Sequence, residues 1–291
     1  MSEKRSGILV VNSFLNTTKF GELYSFLEEA AGRMGCTLDV YTSGELFSPV
    51  GQQNKLSADF CLFWDKDVPL CLALEKSGMR CYNSSQAILL CDDKALTAQA
   101  LSEMNIPMPK TLIAPKTYTN IGYCTKDFLD RAEAFLSYPM VIKQRCGSFG
   151  AQVYLAQNRA DACDILDRCG GNEVILQEFI KTSVGRDLRI NIVNGEMQGC
   201  MLRYNDDDFR SNITNGGKMR AFVPDADYVN AAIDAARAVG AYFAGVDVMF
   251  GKDGPIVCEV NASPHFKSTL EATGVNLADK ILESILFTER S

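Results

Sequence analysis

The chain has 291 residues, 47% of them hydrophobic, and a formal net charge of -7, enough apolar material for two or three compact lobes. With 29 basic against 36 acidic residues, the balance is wrong for a protein that follows a phosphate backbone, which excludes nucleic acid as the main partner. The apolar stretch Ile8 to Val11 is too short for a leader or a membrane span, so a cytoplasmic setting with no membrane contact and reduced cysteines is expected.

Strand and helix patterns alternate from the start. Ile8 to Val11 reads as a strand, and Phe20, Leu23, Tyr24, Leu27, Ala30, Ala31 and Met34 recur at helical spacing,. Strand-like Thr37 to Tyr41, Asp59 to Trp64 and Met79 to Tyr82 follow, which predicts a small parallel sheet with helices on its faces over residues 1–90,. Cys61, Cys71, Cys81 and Cys91 fall at equal intervals, but their neighbours do not repeat. The spacing reads as coincidence, and with no CxxC pair and His265 as the single histidine a structural zinc is not expected,.

A helix starting near Asp92 ends at Asn105 to Pro109, where the lobe changes,. Strands at Thr111 to Ala114, Met140 to Gln144, Val153 to Ala156 and Val174 to Ile180, with helices at Lys126 to Leu136 and Ala160 to Arg168, make a second α+β lobe over residues 91–180. Residues 181–291 form a third. Its strands lie near Asp187 to Val193, Met197 to Arg203, Gly245 to Phe250 and Ile256 to Asn261, and its helices at Ala226 to Val239 and Leu277 to Phe287. The polar loop Asn205 to Gly217 is long enough to suggest a working segment.

Four constellations bear chemistry. Asp247 and the Glu259-Val260-Asn261 run face each other across a hairpin, and two carboxylates with an amide oxygen suit a hard cation such as Mg²⁺; the solvated face of an antiparallel hairpin is the bland alternative,. Lys143 ends a strand just before a small flexible loop with Gly147, Ser148, Phe149 and Gly150, whose amides could close over phosphates, unless it is only a glycine turn,. It is neither a Walker A loop nor a GxGxxG fingerprint. Gln177-Glu178-Phe179-Ile180 ends an apolar strand where two lobes meet and could edge an adenine ring, or be core strand with a polar end,. Arg189, Arg203 and Arg210 surround the Asn205 to Gly217 loop and offer bidentate grips on carboxylates or phosphates, with surface solvation as the alternative,. No GxSxG elbow accompanies His265, which is placed on the rim of the Glu259 and Asn261 cluster,.

Taken in order, Lys94, Lys143, the Gly147 to Gly150 loop, Gln177 to Ile180, Asp208-Phe209-Arg210-Ser211-Asn212 and Asp247 with Glu259-Val260-Asn261-Ala262-Ser263-Pro264 resemble the ATP-grasp ligases of the RimK type. The resemblance is strongest over residues 139–290, fair over 91–138 and confined to layout before that. It implies an ATP-grasp fold with an N-terminal parallel-sheet lobe, a central lobe and a C-terminal lobe, ATP lying between the last two. Lys94 and Lys143 would then contact phosphates, Glu178 to Ile180 line the adenine pocket, and Asp187 approach the ribose with Arg189 nearby. Asp247, Glu259 and Asn261 would hold two Mg²⁺ ions, with Mn²⁺ as an alternative. Arg210 and Asn212, with Arg203, would orient the phosphate and acyl group. The implied reaction joins a carboxylate to an amine through an acyl phosphate, adding glutamate or another amino acid to a peptide or small molecule. A peptide macrocyclase and a non-catalytic ATP-binding regulator are the rival readings, and a dimer or tetramer is left open. Ser263-Pro264 leads into His265-Phe266-Lys267 rather than a glycine-led turn, which leaves the acceptor undefined. Removing Asp247 or Glu259 is expected to abolish turnover and leave the fold intact.

Overall fold

Four consecutive buried apolar residues, Ile8 to Val11, need cover on both faces, as strands of a parallel sheet do. The computed structural model describes residues 5–15, 17–52, 56–147 and 150–287, with Asn215 described in its backbone only. The N-terminal part holds β1 (Ser6–Val11), α1 (Thr18–Arg33), β2 (Thr37–Thr42), β3 (Phe60–Trp64), α2 (Val68–Lys76), β4 (Cys81–Tyr82), α3 (Ser85–Asp92) and α4 (Lys94–Glu103). The strands form a parallel sheet in the order β2-β1-β3-β4. Leu23, Leu27, Ala30 and Ala31 make one buried stripe on α1,.

A second sheet follows, made of β5 (Thr111–Ile113), β6 (Met140–Gln144), β7 (Val153–Ala156) and β8 (Val174–Glu178), with α5 (Phe128–Leu136) and α6 (Arg159–Cys169). It is antiparallel in the order β5-β8-β6-β7. The third sheet contains β9 (Arg186–Val193), β10 (Glu196–Tyr204), β11 (Lys218–Ala221), β12 (Phe243–Phe250) and β13 (Pro255–Asn261), covered by α7 (Ala226–Ala238), α8 (Lys267–Thr273) and α9 (Leu277–Phe287). Its order is β11-β10-β9-β12-β13. The expected mixed α/β arrangement with a parallel N-terminal sheet is what the chain adopts.

Apolar contacts divide unevenly. Residues of the first sheet and its helices share two clusters with residues of the third sheet, such as Phe63 with Val246 and Leu27 with Ile281. The second sheet keeps its own cluster around Leu129, Ile142, Leu166 and Leu176. Asn83, fully buried, joins the first sheet to the third. Its amide donates to the Phe243 and Ala262 carbonyls at 2.8 and 2.7 Å, and its oxygen accepts from the Tyr242 and Phe243 N–H groups at 2.6 and 3.3 Å.

Several expectations need correction. The helix expected from near Asp92 is α4, whose start Asp93 caps by accepting from the Ala95 and Leu96 N–H groups, but α3, which ends at Asp92 just before it, was not expected,. β11 and α8 were not expected; β11 is a short polar edge strand and α8 spans only seven residues, so neither carries an apolar period. Three of the four evenly spaced cysteines meet in the fold. Cys61 of β3 pairs in register with Cys81 of β4, and the crossover helix α2 brings Cys71 onto the pair. Among the described residues no helix is long and apolar enough to cross a membrane.

Candidate functional site

A face of the third sheet carries a row of charges fixed by strand register. Asp187 and Arg189 lie two apart on β9 and so share a face. Asp187 stands opposite Arg203 of β10, Arg189 opposite Asp247 of β12, and Asp247 opposite Glu259 of β13. Arg203 grips Asp187 with two bonds of 2.8 and 2.6 Å and also reaches Asp247 at 2.9 Å. Arg189 grips the same Asp247 through both Nε and an N–H of 2.9 Å. Burial pushes the Asp247 carboxyl up, but the two guanidinium groups outweigh it and hold it below the usual range,. For Arg203, burial favours the neutral form, and Asp187 and Asp247 overcome that to keep it charged. Asp247 is therefore bound into an ionic cluster, and the expectation that its removal would spare the fold is corrected on that ground.

The pairing shifts after Asp247, where Val248 faces Val257. Cys258 is the extra residue of this bulge. Neighbours on a strand ordinarily point to opposite faces, and the bulge lets both Cys258 and Glu259 line one cleft,. The Cys258 sulfur lies 3.5 Å from Lys143 Nζ, and burial pushes its thiol up despite that lysine.

Opposite this face stands the second sheet. Lys143, next to last on β6, is buried, and Lys94 begins α4, where its Nζ donates to the Gly147 carbonyl at 3.1 Å and lies 3.7 Å from Glu259. The start of α4 is braced from the loop side: Lys94 N–H donates to the Arg145 carbonyl at 3.0 Å, and the Arg145 guanidinium pairs with Asp93 and Glu173. Burial raises Asp93, and its Arg145 and N–H partners outweigh that to hold it low. Gln177 is tied to Thr111 at 2.9 Å, while Glu178 accepts from the Lys110 N–H at 3.3 Å.

The Asn205 to Gly217 loop closes the third side. Arg210 donates to the Gly150 carbonyl at 2.8 Å and is held by Asp208, so it links this loop to the glycine turn. Gly185 pins the loop's start: it accepts from Asn205 at 2.7 Å and donates to Phe209 at 2.9 Å. With φ +63 and space so tight that a Cβ would meet the Asn205 oxygen at 2.3 Å, only glycine fits,.

These walls border a cleft lined by Lys94, Lys143, Gly147, Gly150, Gln177 to Ile180, Asp187, Arg203, Arg210, Asn212, Asp247 and Glu259. Ser148 and Phe149 lie outside the described residues. Arg189 and Asn261, expected with the others, face instead a second cavity between the first and third sheets, where His265 also sits. Asp247, Glu259, Gly147, Arg203 and Asn212 line both spaces.

Residues 91–285 match the family described as the RimK-like ATP-grasp domain. The chain belongs to that family. It is 32% identical over 214 residues to a probable alpha-L-glutamate ligase of Maridesulfovibrio salexigens, covering 72% of this chain and 68% of that one. An uncharacterised protein of Mycoplasma pneumoniae is 29% identical over 267 residues, covering 89% and 91%. Among solved structures, a RimK domain ATP-grasp protein of Sphaerobacter thermophilus superposes with TM-score 0.74 at 21% identity, over 96% of this chain and 98% of that one. D-alanine–D-alanine ligase of Bacillus anthracis, complexed with ATP, gives 0.72 at 16% identity, over 98% and 96%.

In this RimK-like chain the oxygens of Asp247, Glu259 and Asn261 are a hard donor set that fits Mg²⁺ chemically. Asn261 donates its amide to the Gly245 carbonyl at 3.2 Å, so its oxygen would be the atom to meet an ion. Sequence reasoning missed Cys258, because a bulge has no signature in a single sequence. It also missed Asn12, Asp65 and Lys66 in the second cavity. Asn12 and Asp65 follow the ends of parallel strands β1 and β3, where open α/β sheets place their ligands, and that rule could have found them.

Proposed function

We propose that the protein is an ATP-dependent carboxylate–amine ligase that activates a carboxylate as an acyl phosphate and transfers the acyl group to an amine. Glutamate or another amino acid is joined to a peptide or small-molecule acceptor. A free carboxylate cannot be attacked usefully, because oxide would have to leave; phosphorylation makes the leaving group phosphate. The observation that carries this reading is the wall of Asp247 and Glu259 common to two cavities, the arrangement needed if a phosphoryl group passes from a nucleotide on one side to a carboxylate on the other.

ATP lies in the first cleft, between the lobes of residues 91–180 and 181–291. Phe179, Ile180 and Met249 give the base apolar walls, Gln177 and Glu178 edge it, and Asp187 approaches the ribose,. Lys94, Lys143 and the amides of the Gly147 to Gly150 loop, Ser148 and Phe149 included, neutralise and hold the phosphates in line. Asp247, Glu259 and Asn261 would hold two Mg²⁺ or Mn²⁺ ions, which when bound supply charge neutralisation for the phosphates. Arg203, Arg210 and Asn212 orient the transferred phosphoryl and the acyl group.

The acceptor side is the second cavity, where Lys19 and Arg189 stand with Asp65 and Asp92 around Trp64, Phe20 and Met201. Charges of both signs around an apolar floor suit an amino acid or peptide end. A hydroxylamine trap tests the proposal: protein, ATP, Mg²⁺ and a panel of carboxylates are incubated, and hydroxamate and ADP are measured together. One carboxylate giving both in equal amounts supports the acyl phosphate; ADP release that no carboxylate stimulates refutes it.

A further inference from the structure

The N-terminal sheet holds a second constellation, remote in chemistry from the oxygen-rich cleft. Cys61 on β3 and Cys81 on β4 are register partners on adjacent parallel strands. Cys71 lies buried on α2, and Glu75 follows one turn later on the same helix face,. The Cys71 and Cys81 sulfurs and a Glu75 carboxylate oxygen all lie within 4.8 Å of one another, and the Cys71 thiol is 3.8 Å from the Asn83 carbonyl. Simple packing does not call for this. A buried cysteine behaves as a small apolar group among carbon neighbours, whereas here two sulfurs and a carboxylate oxygen converge, with Cys61 the register partner of one of them.

Electrostatics points the same way. Burial pushes the Cys61 thiol up, and hydrogen bonding to Cys81 with burial does the same for Cys71. Cys81 is pulled the other way, below the ordinary thiol range, by the same two neighbours. The charged groups that bear on Cys71, Glu75 and Asp67, are acidic as well. Glu75 is held in place by the Ser85 N–H at 2.9 Å and by the Ser85 hydroxyl, the kind of outer bond that fixes a ligand's orientation.

We infer that Cys71, Cys81 and Glu75 form a binding site for a thiophilic divalent cation, Zn²⁺, with the Cys61 sulfur or a water completing four-coordination. Sulfur and carboxylate donors at about 2.0–2.3 Å in a tetrahedral shell stand under roughly 4 Å apart, so the cluster has only to draw in slightly. Each thiol that enters the shell gives its proton to solvent. Two thiolates and a carboxylate leave the occupied site singly negative with a water as fourth ligand and doubly negative with the Cys61 thiolate, and the softness of the sulfurs keeps it separate from the Mg²⁺ donors. The absence of a CxxC pair does not weigh against it, because ligands come from β4 and from a helix that crosses over it. The bound ion would staple α2 to the sheet two residues before Asn83, the clamp on the third sheet.

The test uses full-length reduced, metal-free protein carrying Cys124→Ser and Cys146→Ser, which removes the exposed thiols. Titration with Co²⁺ is followed by the thiolate-to-cobalt charge-transfer band and the visible bands of tetrahedral cobalt, and Zn²⁺ is then added to displace it. Expected are one Co²⁺ per chain, loss of the band in Cys71→Ser and in Cys81→Ser, and about tenfold weaker binding in Ser85→Ala. Zn²⁺ should raise the Tm of the parent and leave that of Cys81→Ser unchanged. Cys81 is only partly buried, so its serine variant keeps the test open if Cys71→Ser does not fold. No charge-transfer band in the parent, or a band that persists in Cys81→Ser, overturns the assignment. The readout needs no ligase activity and stands whether or not the proposed reaction does.

Discussion

Replacing Asp247 by asparagine should separate structural from chemical roles at the acidic hairpin. The Asp247 side chain is 5% exposed, and its partners Arg189 and Arg203 are 11% and 6% exposed. Arg203 keeps Asp187 when the charge is lost; Arg189, among the described residues, is ion-paired to Asp247 alone. Removing one member of a buried pair costs roughly 3–5 kcal/mol, because the other charge stays buried, and that corresponds to a Tm fall on the order of 6–15 °C. Glu259→Gln is the contrast. Glu259 is 28% exposed and its nearest cation, Lys94, lies at 3.7 Å, an ion pair worth less than about 1 kcal/mol. Both variants should lose at least about 10²-fold in ADP release, yet only the first should unfold early in urea and heat. Asp247→Asn as stable as the parent would refute the role given to the arginine clasp, and undiminished ADP release by Glu259→Gln would remove it from the metal site.

Lys143→Ala should weaken ATP binding roughly 10–100-fold, the loss of one charged contact, while calorimetric unfolding changes little; an unaltered dissociation constant counts against its place beside the phosphates. Asn83→Ala strands two buried carbonyls and two N–H groups, so urea titration should show a loss of roughly 3–5 kcal/mol, and a loss below about 1 would show that water or local shifts replace the clamp. His265 is held below its ordinary 6.5 by burial and by Lys19. Its neutral form is thus favoured in the native state, and the unfolded chain takes up the proton first as pH falls through that value, so stability should decline below it. His265→Gln should flatten that decline in a pH series of melting curves, and an identical slope in both proteins would exclude the histidine as its source.

Much of the fold was legible because its strands and helices keep clean periods. β3 is Phe60-Cys61-Leu62-Phe63-Trp64, buried throughout, and α7 and α9 carry regular apolar stripes. The candidate site was legible in composition rather than in connection. The order of Lys94, Lys143, Asp247 and Glu259 pointed to a common cleft, but nothing in a linear pattern says that Asp247 is shared by Arg189 and Arg203 across three strands. Those contacts depend on register between segments far apart in the chain, as does the meeting of Cys61, Cys71 and Cys81. Asp93 was hidden for a different reason. The start of α4 was placed within two residues, but the role of Asp93 as its cap and as the partner of Arg145 needs the folded backbone to be seen.

The unequal sharing of apolar cores sets which parts of the molecule can move. Because the first and third sheets bury residues in common clusters and are pinned together by Asn83, sliding one past the other would open water-filled gaps in both,. The second sheet, with a core to itself, can swing as a body about its two connections, near Asn105 to Pro109 and Lys181 to Gly185, without breaking any interior. Such a swing would part polar bridges: Lys94 to Gly147 and to the Arg145 carbonyl, Arg145 to Asp93, Arg210 to Gly150, and Lys143 to Cys258. A jaw fastened by a few hydrogen bonds and hinged beside the base pocket can admit a nucleotide and shut over it at little energetic cost.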